Sequence, residues 1–328
     1  MSGKYETDMQ YEKYIKNKVK DEPIVLTEYY YSLIGAGQSY KTAYRYICYV
    51  INFLKFTFKD EYKNPNNPNI YSKVEPLHIN KYISSARYVN KNGEVKKASD
   101  SILTVQWSAL NSFFQFLMPD YISENPVAGT QRPKMKDNPS VTYLTNKEVT
   151  KLLTYVENNA VERFKNRDLC ILKLGLSTGL RVSAIVQIDV DDVDFQNNQI
   201  RVTEKGDRNE YVMFGSQLKA QLMAWLEDRD KYFKDCNTKA LFVSQKNTRL
   251  RPKTVGDILS KYAKHVTNKH VTPHVMRHTC ATSLYEQTGD IYLCASQLHH
   301  RNVSTTQRYA EISKSRKKEA TNILDSLI

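Results

Sequence analysis

The second half of the chain contains the stretch RDLCILKLGLSTGLRVSAIVQI, which runs from Arg167 to Ile188. Its residues are apolar and helical in pattern as far as Gly179, and a glycine at that place is typical of the end of a helix. Arg181 follows two residues later, at the start of another apolar run. The stretch therefore predicts a helix, a turn at the glycine and a charged side chain next to that turn.

The chain that follows this helix includes a predicted hairpin. The segment NNQIRVTEKGDRNEYVMF, residues 197–214, indicates two short strands around a polar turn that contains Gly206 and Asp207. The remainder has apolar helical faces separated by polar turns. Residues 143–328 are therefore expected to form a mixed α/β domain that is mostly helical and contains a small β-sheet.

The first half of the chain has a helical pattern. In SYKTAYRYICYVINFLKFTF, residues 39–58, apolar residues recur at intervals of three and four, and Ser39 is a candidate N-cap. A second amphipathic helix is expected in SILTVQWSALNSFFQFLM, residues 101–118. The pattern over residues 24–124 therefore predicts a bundle of roughly four helices. Residues 1–23 are expected to form a charged tail or a fraying helix.

Between the two halves lies a segment with the composition of a linker. Residues 125–142 contain Pro126, Pro133 and Pro139 and two lysines, and they show no helical period. A capping box at Thr145 and Glu148 then predicts the start of the next helix. The expected domain boundary therefore falls within residues 125–142.

The composition limits the classes of protein to consider. The chain has 328 residues, which suits two domains, and its formal net charge is +13. Such a charge favours an acidic partner, with nucleic acid first and an anionic membrane second. The membrane interpretation is weak because the apolar stretch YICYVINFLKF is short and contains Lys55.

The compartment is inferred from the first residues and from the cysteines. The start of the chain is polar and lacks the apolar core of a signal peptide, so a cytoplasmic protein is expected. The five cysteines form no CxxC pair. Free, mostly buried thiols are therefore expected, and a disulfide framework is not.

Six side chains in the second half could act together on one substrate. They are Arg181, Lys205, His274, Arg277, His300 and Tyr309. Because His274 and Arg277 are three residues apart, they can face one site from the same helix. Tyr309 follows His300 by nine residues, and this position distinguishes it among the 23 tyrosines of the chain.

This set of side chains has the chemistry for attack on a phosphodiester. Two arginines can grip the non-bridging oxygens and offset the charge that develops in the transition state. A tyrosine hydroxyl can be the nucleophile, a histidine can accept or return its proton, and a lysine can protonate the leaving oxygen. Guanidinium groups supply the positive charge, so no metal or other cofactor is required.

Several of these residues also have ordinary interpretations. Arg181 could be a surface arginine at the end of a helix. Lys205 could be one of many solvated lysines, and Arg208 is a nearby competitor for its role.

A zinc site is a further alternative. His274 and His278 are four residues apart, a spacing that can bind zinc, and His300 could complete the site. Val275, however, stands where the HExxH motif has glutamate. A zinc hydrolase is therefore disfavoured, and His278 is better interpreted as a packing residue.

Four stretches together resemble a known family. STGLRVSAI, TEKGDRNEYVMF, TPHVMRHTCAT and QLHHRNVSTTQRYAEI are similar, in order and spacing, to the successive motifs of the tyrosine recombinase, or phage integrase, family. The resemblance covers roughly residues 24–320 and indicates a two-domain member of the Xer or Cre type. It implies an N-terminal, SAM-like helical domain that binds the core DNA site, followed by the catalytic domain.

The resemblance also implies roles for the candidate residues. Arg181 corresponds to the first catalytic arginine, and His274 and Arg277 correspond to the His-x-x-Arg motif. His300 corresponds to the second histidine, a hydrogen-bond donor to the phosphate. Lys205 corresponds to the hairpin lysine that protonates the leaving 5′-hydroxyl.

The last of the six, Tyr309, corresponds to the nucleophile. In this family the tyrosine forms a 3′-phosphotyrosyl link, and a DNA 5′-hydroxyl then attacks that link. Two positions depart from the family pattern. Ala184 stands where the family often has glutamate, and His299 stands where it usually has glycine.

The expected partner is double-stranded DNA carrying a specific recombination site. Lys41, Lys134 and Lys136 are candidates for phosphate contacts. The resemblance also implies a homotetramer on synapsed DNA, with the C-terminal tail docking in trans. The expected function is integration, excision or resolution of a mobile element or replicon. The alternatives are a type IB topoisomerase and a non-catalytic DNA-binding protein on the same scaffold.

Overall fold

The computed structural model describes residues 2–64, 67–89, 93–134, 141–204, 208–234, 236–298 and 306. The chain divides into two compact units, Met1–Asp137 and Asn138–Ile328. Helices dominate both units, and each unit contains a small antiparallel sheet. The prediction of a mainly helical fold with a small β-sheet is confirmed.

The first unit is built on five helices within the described residues. They are α1 (Ser2–Val19), α2 (Ile24–Gly35), α3 (Tyr40–Phe58), α4 (Pro76–Ser85) and α5 (Asp100–Phe116). Short 3₁₀ turns occupy Glu61–Lys63 and Pro68–Lys73. The strands β1 (Arg87–Val89) and β2 (Val95–Lys97) pair in an antiparallel ribbon between α4 and α5.

The helix α3 forms the centre of the first unit. Ser39 caps it as expected, since its side chain accepts a hydrogen bond from the Thr42 amide at 3.2 Å. Ile47, Ile51 and Leu54 share one face and are fully buried. Full burial of an aliphatic side chain of this size contributes about 1.5–3 kcal/mol relative to exposure, so this face is a main source of stability.

The residues expected to form an N-terminal tail are instead part of the first unit. They form α1, and Ile15 and Val19 are buried in the same core as α3. The charged residues of α1 hid the apolar positions that the core covers. Of the two expectations, the tail is therefore corrected, and the helix is packed against the core at Ile15 and Val19.

Much of the stretch with linker composition also packs on the first unit. Val127 is fully buried, and the Trp107 indole nitrogen donates to the Thr130 hydroxyl at 2.8 Å. The Thr104 hydroxyl, which also bonds within its own helix, lies 3.2 Å from the Pro133 carbonyl. Prolines prevented a regular element here, but side-chain contacts hold the irregular backbone in place.

The second unit contains the remaining elements. They are α6 (Asn146–Asn159), α7 (Glu162–Thr178), α8 (Val182–Gln187), a 3₁₀ turn at Val190–Asp192, β3 (Val193–Asp194), β4 (Gln199–Glu204), β5 (Arg208–Met213), α9 (Ser216–Tyr232), α10 (Pro252–Ala263), α11 (Pro273–Thr288) and α12 (Ile291–Gln297). The three strands lie in the order β3-β4-β5 and are antiparallel. The predicted hairpin is confirmed, and its paired residues Ile200 and Val212 face the core.

The helix α7 lies in the core of the second unit and carries a buried ion pair. Arg167 donates to the Asp168 carboxylate at 2.7 Å and to the Val243 carbonyl at 2.9 Å. The Tyr262 hydroxyl on α10 donates to the same carboxylate at 2.8 Å. Burial, together with that carboxylate, raises the pKa of Tyr262, so the phenol remains a donor.

Two further expectations concern the thiols and membranes. The five cysteines are unpaired, and Cys170, Cys280 and Cys294 are buried, as the sequence indicated. None of the helices in the part of the chain described above has both the length and the apolar character that crossing a bilayer requires.

Candidate active site

The turn after α7 is made by a glycine for a conformational reason. Gly179 has φ 65°, in the left-handed region, and its amide donates to the Gly175 carbonyl at 3.1 Å. The chain leaves this turn through the buried Leu180 and reaches Arg181, which is the N-cap residue of α8 and has an extended backbone. The side chain of Arg181 is half-buried at the surface of this turn.

Gly179 is also needed for a steric reason. A Cβ atom added there would lie 2.5 Å from Cδ2 of Leu298 and 3.3 Å from Sγ of Cys280. One turn earlier, a Cβ at Gly175 would lie 2.9 Å from Cε of Met276. Two glycines on one face of α7 therefore allow α11 and the end of α12 to approach its backbone.

This close approach places Arg277 of α11 within hydrogen-bond distance of the ends of α7 and α12. Arg277 is only 5% exposed. One terminal nitrogen donates to the Gly179 carbonyl at 2.7 Å, and the other donates to the Leu298 carbonyl at 2.5 Å. A guanidinium presents its N–H groups in a rigid fork, so these two bonds fix the plane of the side chain.

His274 lies one turn before Arg277, near the start of α11. Thr272 caps this helix by accepting a hydrogen bond from the Val275 amide at 3.4 Å, and Pro273 occupies the first helical position. The His274 side chain is exposed. An exposed imidazole at a helix N-terminus is accessible to an anionic group, which the helix dipole favours at this end.

The loop before α11 is fixed by Lys269 and Glu148. The Lys269 amine donates to the Glu148 carboxylate at 2.6 Å, and the Thr267 hydroxyl donates to its other oxygen at 2.7 Å. Burial would raise the pKa of Glu148, but these bonds and the Thr145 amide outweigh it and lower the pKa to about 2. Because the folded-state pKa lies below the ordinary value of 4.5, this contribution to stability is complete above that value and is lost as the pH falls through about 2.

Three of the six predicted site residues are described by the structure. Arg181 and Arg277 are linked through the Gly179 carbonyl, two residues before Arg181, and His274 shares the helix of Arg277. Lys205, His300 and Tyr309 lie outside the described residues.

Two of the three lysines predicted to contact DNA lie within the described residues. Lys41 on α3 and Lys134 have exposed side chains, and both belong to the first unit. Lys136 lies outside the described residues, as does His299, the first of the two positions that depart from the family pattern.

The other departure from the family pattern, Ala184, is buried against the core of the second unit. A methyl group fits this position on α8 without a polar partner. Within the described ranges no three His, Cys, Asp or Glu side chains are grouped as metal ligands, and His300, the third residue of the zinc alternative, lies outside those ranges.

No direct signal in the sequence marks the groups that hold Arg277. They are the backbone carbonyls of Gly179 and Leu298, which lie 98 and 21 residues away along the chain. Every residue has a carbonyl, so residue identity cannot mark these two. The glycines at 175 and 179 are the one sequence feature that is consistent with a close approach of α11 and α12 to α7.

Comparison with known proteins identifies a family and sequence relatives. The sequence model described as the phage integrase family matches residues 142–316. The tyrosine recombinase XerC of Leptospira interrogans serogroup Icterohaemorrhagiae serovar copenhageni (strain Fiocruz L1-130) is 30% identical over 268 residues, which are 81% of this chain and 82% of that protein.

Solved structures show the same fold. The XerH site-specific recombinase bound to a palindromic difH substrate, in a post-cleavage complex, has a TM-score of 0.65 at 21% identity and covers 87% of this chain and 80% of its own. A lambda integrase (75-356) dimer bound to a COC′ core site has a TM-score of 0.65 at 16% identity, over 88% and 95% of the two chains.

The fold and the sequence relatives define the class as tyrosine recombinases, enzymes that cut DNA strands and rejoin them. The chain belongs to the phage integrase family. The resemblance seen in the four sequence motifs is thereby confirmed, and the relatives give no support for a topoisomerase.

Proposed function

We propose that this recombinase uses Arg181, Lys205, His274, Arg277, His300 and Tyr309 as its active site. The observation that carries the proposal is the pair of hydrogen bonds made by Arg277. They join the helix that carries His274 to the turn before Arg181 and to the residue two positions before His300. Residues far apart in sequence are thus tied to one buried guanidinium.

In the proposed reaction, Tyr309 attacks a DNA phosphate and forms a 3′-phosphotyrosyl bond. The bond from phosphorus to the 5′-oxygen breaks, and Lys205 gives that oxygen a proton. Arg181, Arg277 and His300 stabilise the negative charge on the non-bridging oxygens. His274 accepts the phenolic proton and returns it in the reverse step.

Rejoining follows the same path in the opposite direction. A 5′-hydroxyl of another strand attacks the phosphotyrosyl bond, and Tyr309 leaves and regains its proton. One phosphoester bond forms for each that breaks, so no external energy source is needed. Guanidinium groups are suited to this task because they bind two phosphate oxygens at once and remain charged.

The substrate in this proposal is a specific double-stranded site, bound by a homotetramer that holds two sites together. The net charge of +13 supports strong attraction to the DNA backbone. Exposed Lys41 and Lys134 are suited to contact phosphates, and we assign Lys136 the same role. The biological role is movement or resolution of a mobile element or replicon, in the cytoplasm and on the nucleoid.

The C-terminal tail is proposed to dock on a neighbouring subunit. Its end, ILDSLI, is apolar, whereas the residues before it are strongly charged. A chain ending at Ser315 should then bind a single half-site normally but load onto a full site without cooperativity. Band-shift titrations would measure this, and unchanged cooperativity would refute trans docking.

The proposal is tested by trapping the covalent intermediate. Binding sites are first selected from a random duplex library, and a selected site is rebuilt with a nick that prevents religation. Wild type should form a protein–DNA adduct that survives denaturation, and Tyr309→Phe should form none because it lacks the attacking oxygen. Tyr292→Phe is the matched control, since Tyr292 is 72% exposed and has no proposed role.

Each other result has a definite meaning. An adduct in Tyr309→Phe would show that another tyrosine is the nucleophile. Binding without an adduct in wild type would favour a non-catalytic DNA-binding protein. Relaxation of supercoiled plasmids that lack the selected site would favour the topoisomerase alternative.

A further inference from the structure

The first described residues after the gap at 135–140 are anchored to the helix that carries Arg277. The Leu144 amide donates to the Thr279 hydroxyl at 2.9 Å, and that hydroxyl donates to the Val275 carbonyl at 2.8 Å. Leu144 and Thr279 are 1% and 3% exposed. The Thr279 oxygen thus makes two hydrogen bonds in a dry environment, where losing one is costly.

A second tether holds the same segment. The Lys269 amine, already paired with Glu148, also donates to the Tyr143 carbonyl at 2.9 Å. Lys269 lies in the loop just before α11, and Thr279 lies two residues after Arg277. The backbone at Tyr143 and Leu144 is therefore fixed both at the start of α11 and beside its arginine.

Residues 141–144 also pack close to Leu298, whose carbonyl orients Arg277. Val141 packs against a small cluster formed by Ala281 and Leu298, both fully buried. The Leu298 carbonyl is one of the two acceptors of the Arg277 guanidinium. Thr279 is therefore linked through residues 141–144 to the cluster of Ala281 and Leu298, and the Leu298 carbonyl is bonded to Arg277.

We propose that Thr279 is a positioning residue for DNA cleavage. By holding Leu144, it keeps Val141 packed on the cluster of Ala281 and Leu298, and this packing supports the Leu298 carbonyl that sets the orientation of Arg277. The inference rests on the proposed function, because it takes Arg277 as a phosphate-binding group. Small displacements of such a group have large effects on rate, since about 1 Å of misplacement can cost on the order of 100-fold.

The test compares substitutions at Thr279 with a control substitution at a second buried threonine of α11. Thr279→Val keeps the shape but removes the oxygen that Leu144 bonds, and Thr279→Ser keeps the oxygen. Thr282→Val is the control, because Thr282 lies on the same helix, is fully buried, and has no hydrogen-bond partner for its hydroxyl within the described residues. DNA affinity and the single-turnover cleavage rate are measured on the selected, nicked site.

We expect Thr279→Val to lower the cleavage rate by about tenfold or more while its DNA affinity stays within about twofold. Thr279→Ser should recover most of the rate, and Thr282→Val should cleave like wild type. Val141→Ala, which leaves the Thr279 bond intact, should also slow cleavage and provides the test if Thr279→Val fails to fold. Hydrogen exchange at the Leu144 amide should become faster in Thr279→Val and remain slow in Thr279→Ser.

Two outcomes overturn the positioning role alone. One is normal cleavage by Thr279→Val and Val141→Ala. The other is an equal loss of rate in Thr279→Val and Thr282→Val, which would show a general packing effect. If wild type forms no adduct on any selected site, the proposed function fails, and the role of Thr279 in cleavage fails with it.

Discussion

Replacing Arg277 with lysine should lower the rate of DNA cleavage by about 100- to 1,000-fold, the range seen when one donor to a developing oxyanion is removed. A lysine amine is a single point donor on a flexible stem, so it cannot reproduce the fork that contacts two carbonyls in a fixed plane. Gly179 and Leu298 would each be left with a poorly matched partner. The orientation of the remaining charge towards a phosphate would then be lost.

The measurement is the single-turnover rate of adduct formation, taken beside DNA affinity and thermal unfolding. Arg229→Lys is a matched control, because Arg229 on α9 also donates to two backbone carbonyls, those of Thr238 and Ala240. It should lose a comparable amount of stability but retain cleavage. If both variants lose activity in proportion to their stability, Arg277 is a structural residue and not part of the active site.

Replacing Gly179 with alanine should destabilise the second unit by about 2–5 kcal/mol. An L-residue in the left-handed region costs about 1–2 kcal/mol, and crowding a packed site costs about 1–3 kcal/mol more. The new methyl group would lie 2.5 Å from Leu298, so Leu298 or the turn must move. Either movement displaces a carbonyl that holds Arg277, and cleavage should fall by more than the loss of folded protein explains.

Chemical denaturation with a cleavage assay on the remaining folded fraction measures both effects. Gly256→Ala is the control within the same unit, since an added Cβ there meets only Pro273 at an ordinary 3.9 Å. Alanine is the better helix former by roughly 1 kcal/mol, so this variant should be neutral or slightly more stable. A stable, fully active Gly179→Ala variant would contradict the account of the turn.

Local chemistry explains why much of the fold was accessible from the sequence. The helix ends at Ser39, Thr145 and Gly179 depend on side chains or backbone freedom of those residues themselves, and the predicted caps are present. The hairpin of β4 and β5 also follows from alternation and a polar turn. The packing of the N-terminal helix into the core was not predicted, because its charged residues outnumber Ile15 and Val19, which the core buries.

In the candidate site, the residue types could be predicted from the sequence, but their hydrogen-bond partners could not. The types and order of the side chains could be read from the sequence, since attack on a phosphodiester requires arginine, histidine and a nucleophile. The partners of Arg277 could not, because they are carbonyls contributed by distant parts of the chain. The bond from Leu144 to Thr279 joins residues 135 positions apart and was equally hidden.

The helical class, the hairpin, the family and the chemical types of the candidate site residues could all be predicted from the sequence. These depend on periodicity, on caps and on residue types at fixed spacings, which are all local properties of the chain. The burial of Arg277 and its hydrogen bonds to the end of α7 and the end of α12 are visible only in the folded chain. Packing between distant segments makes that choice, because any backbone carbonyl can accept a hydrogen bond and only the fold brings a particular one within reach.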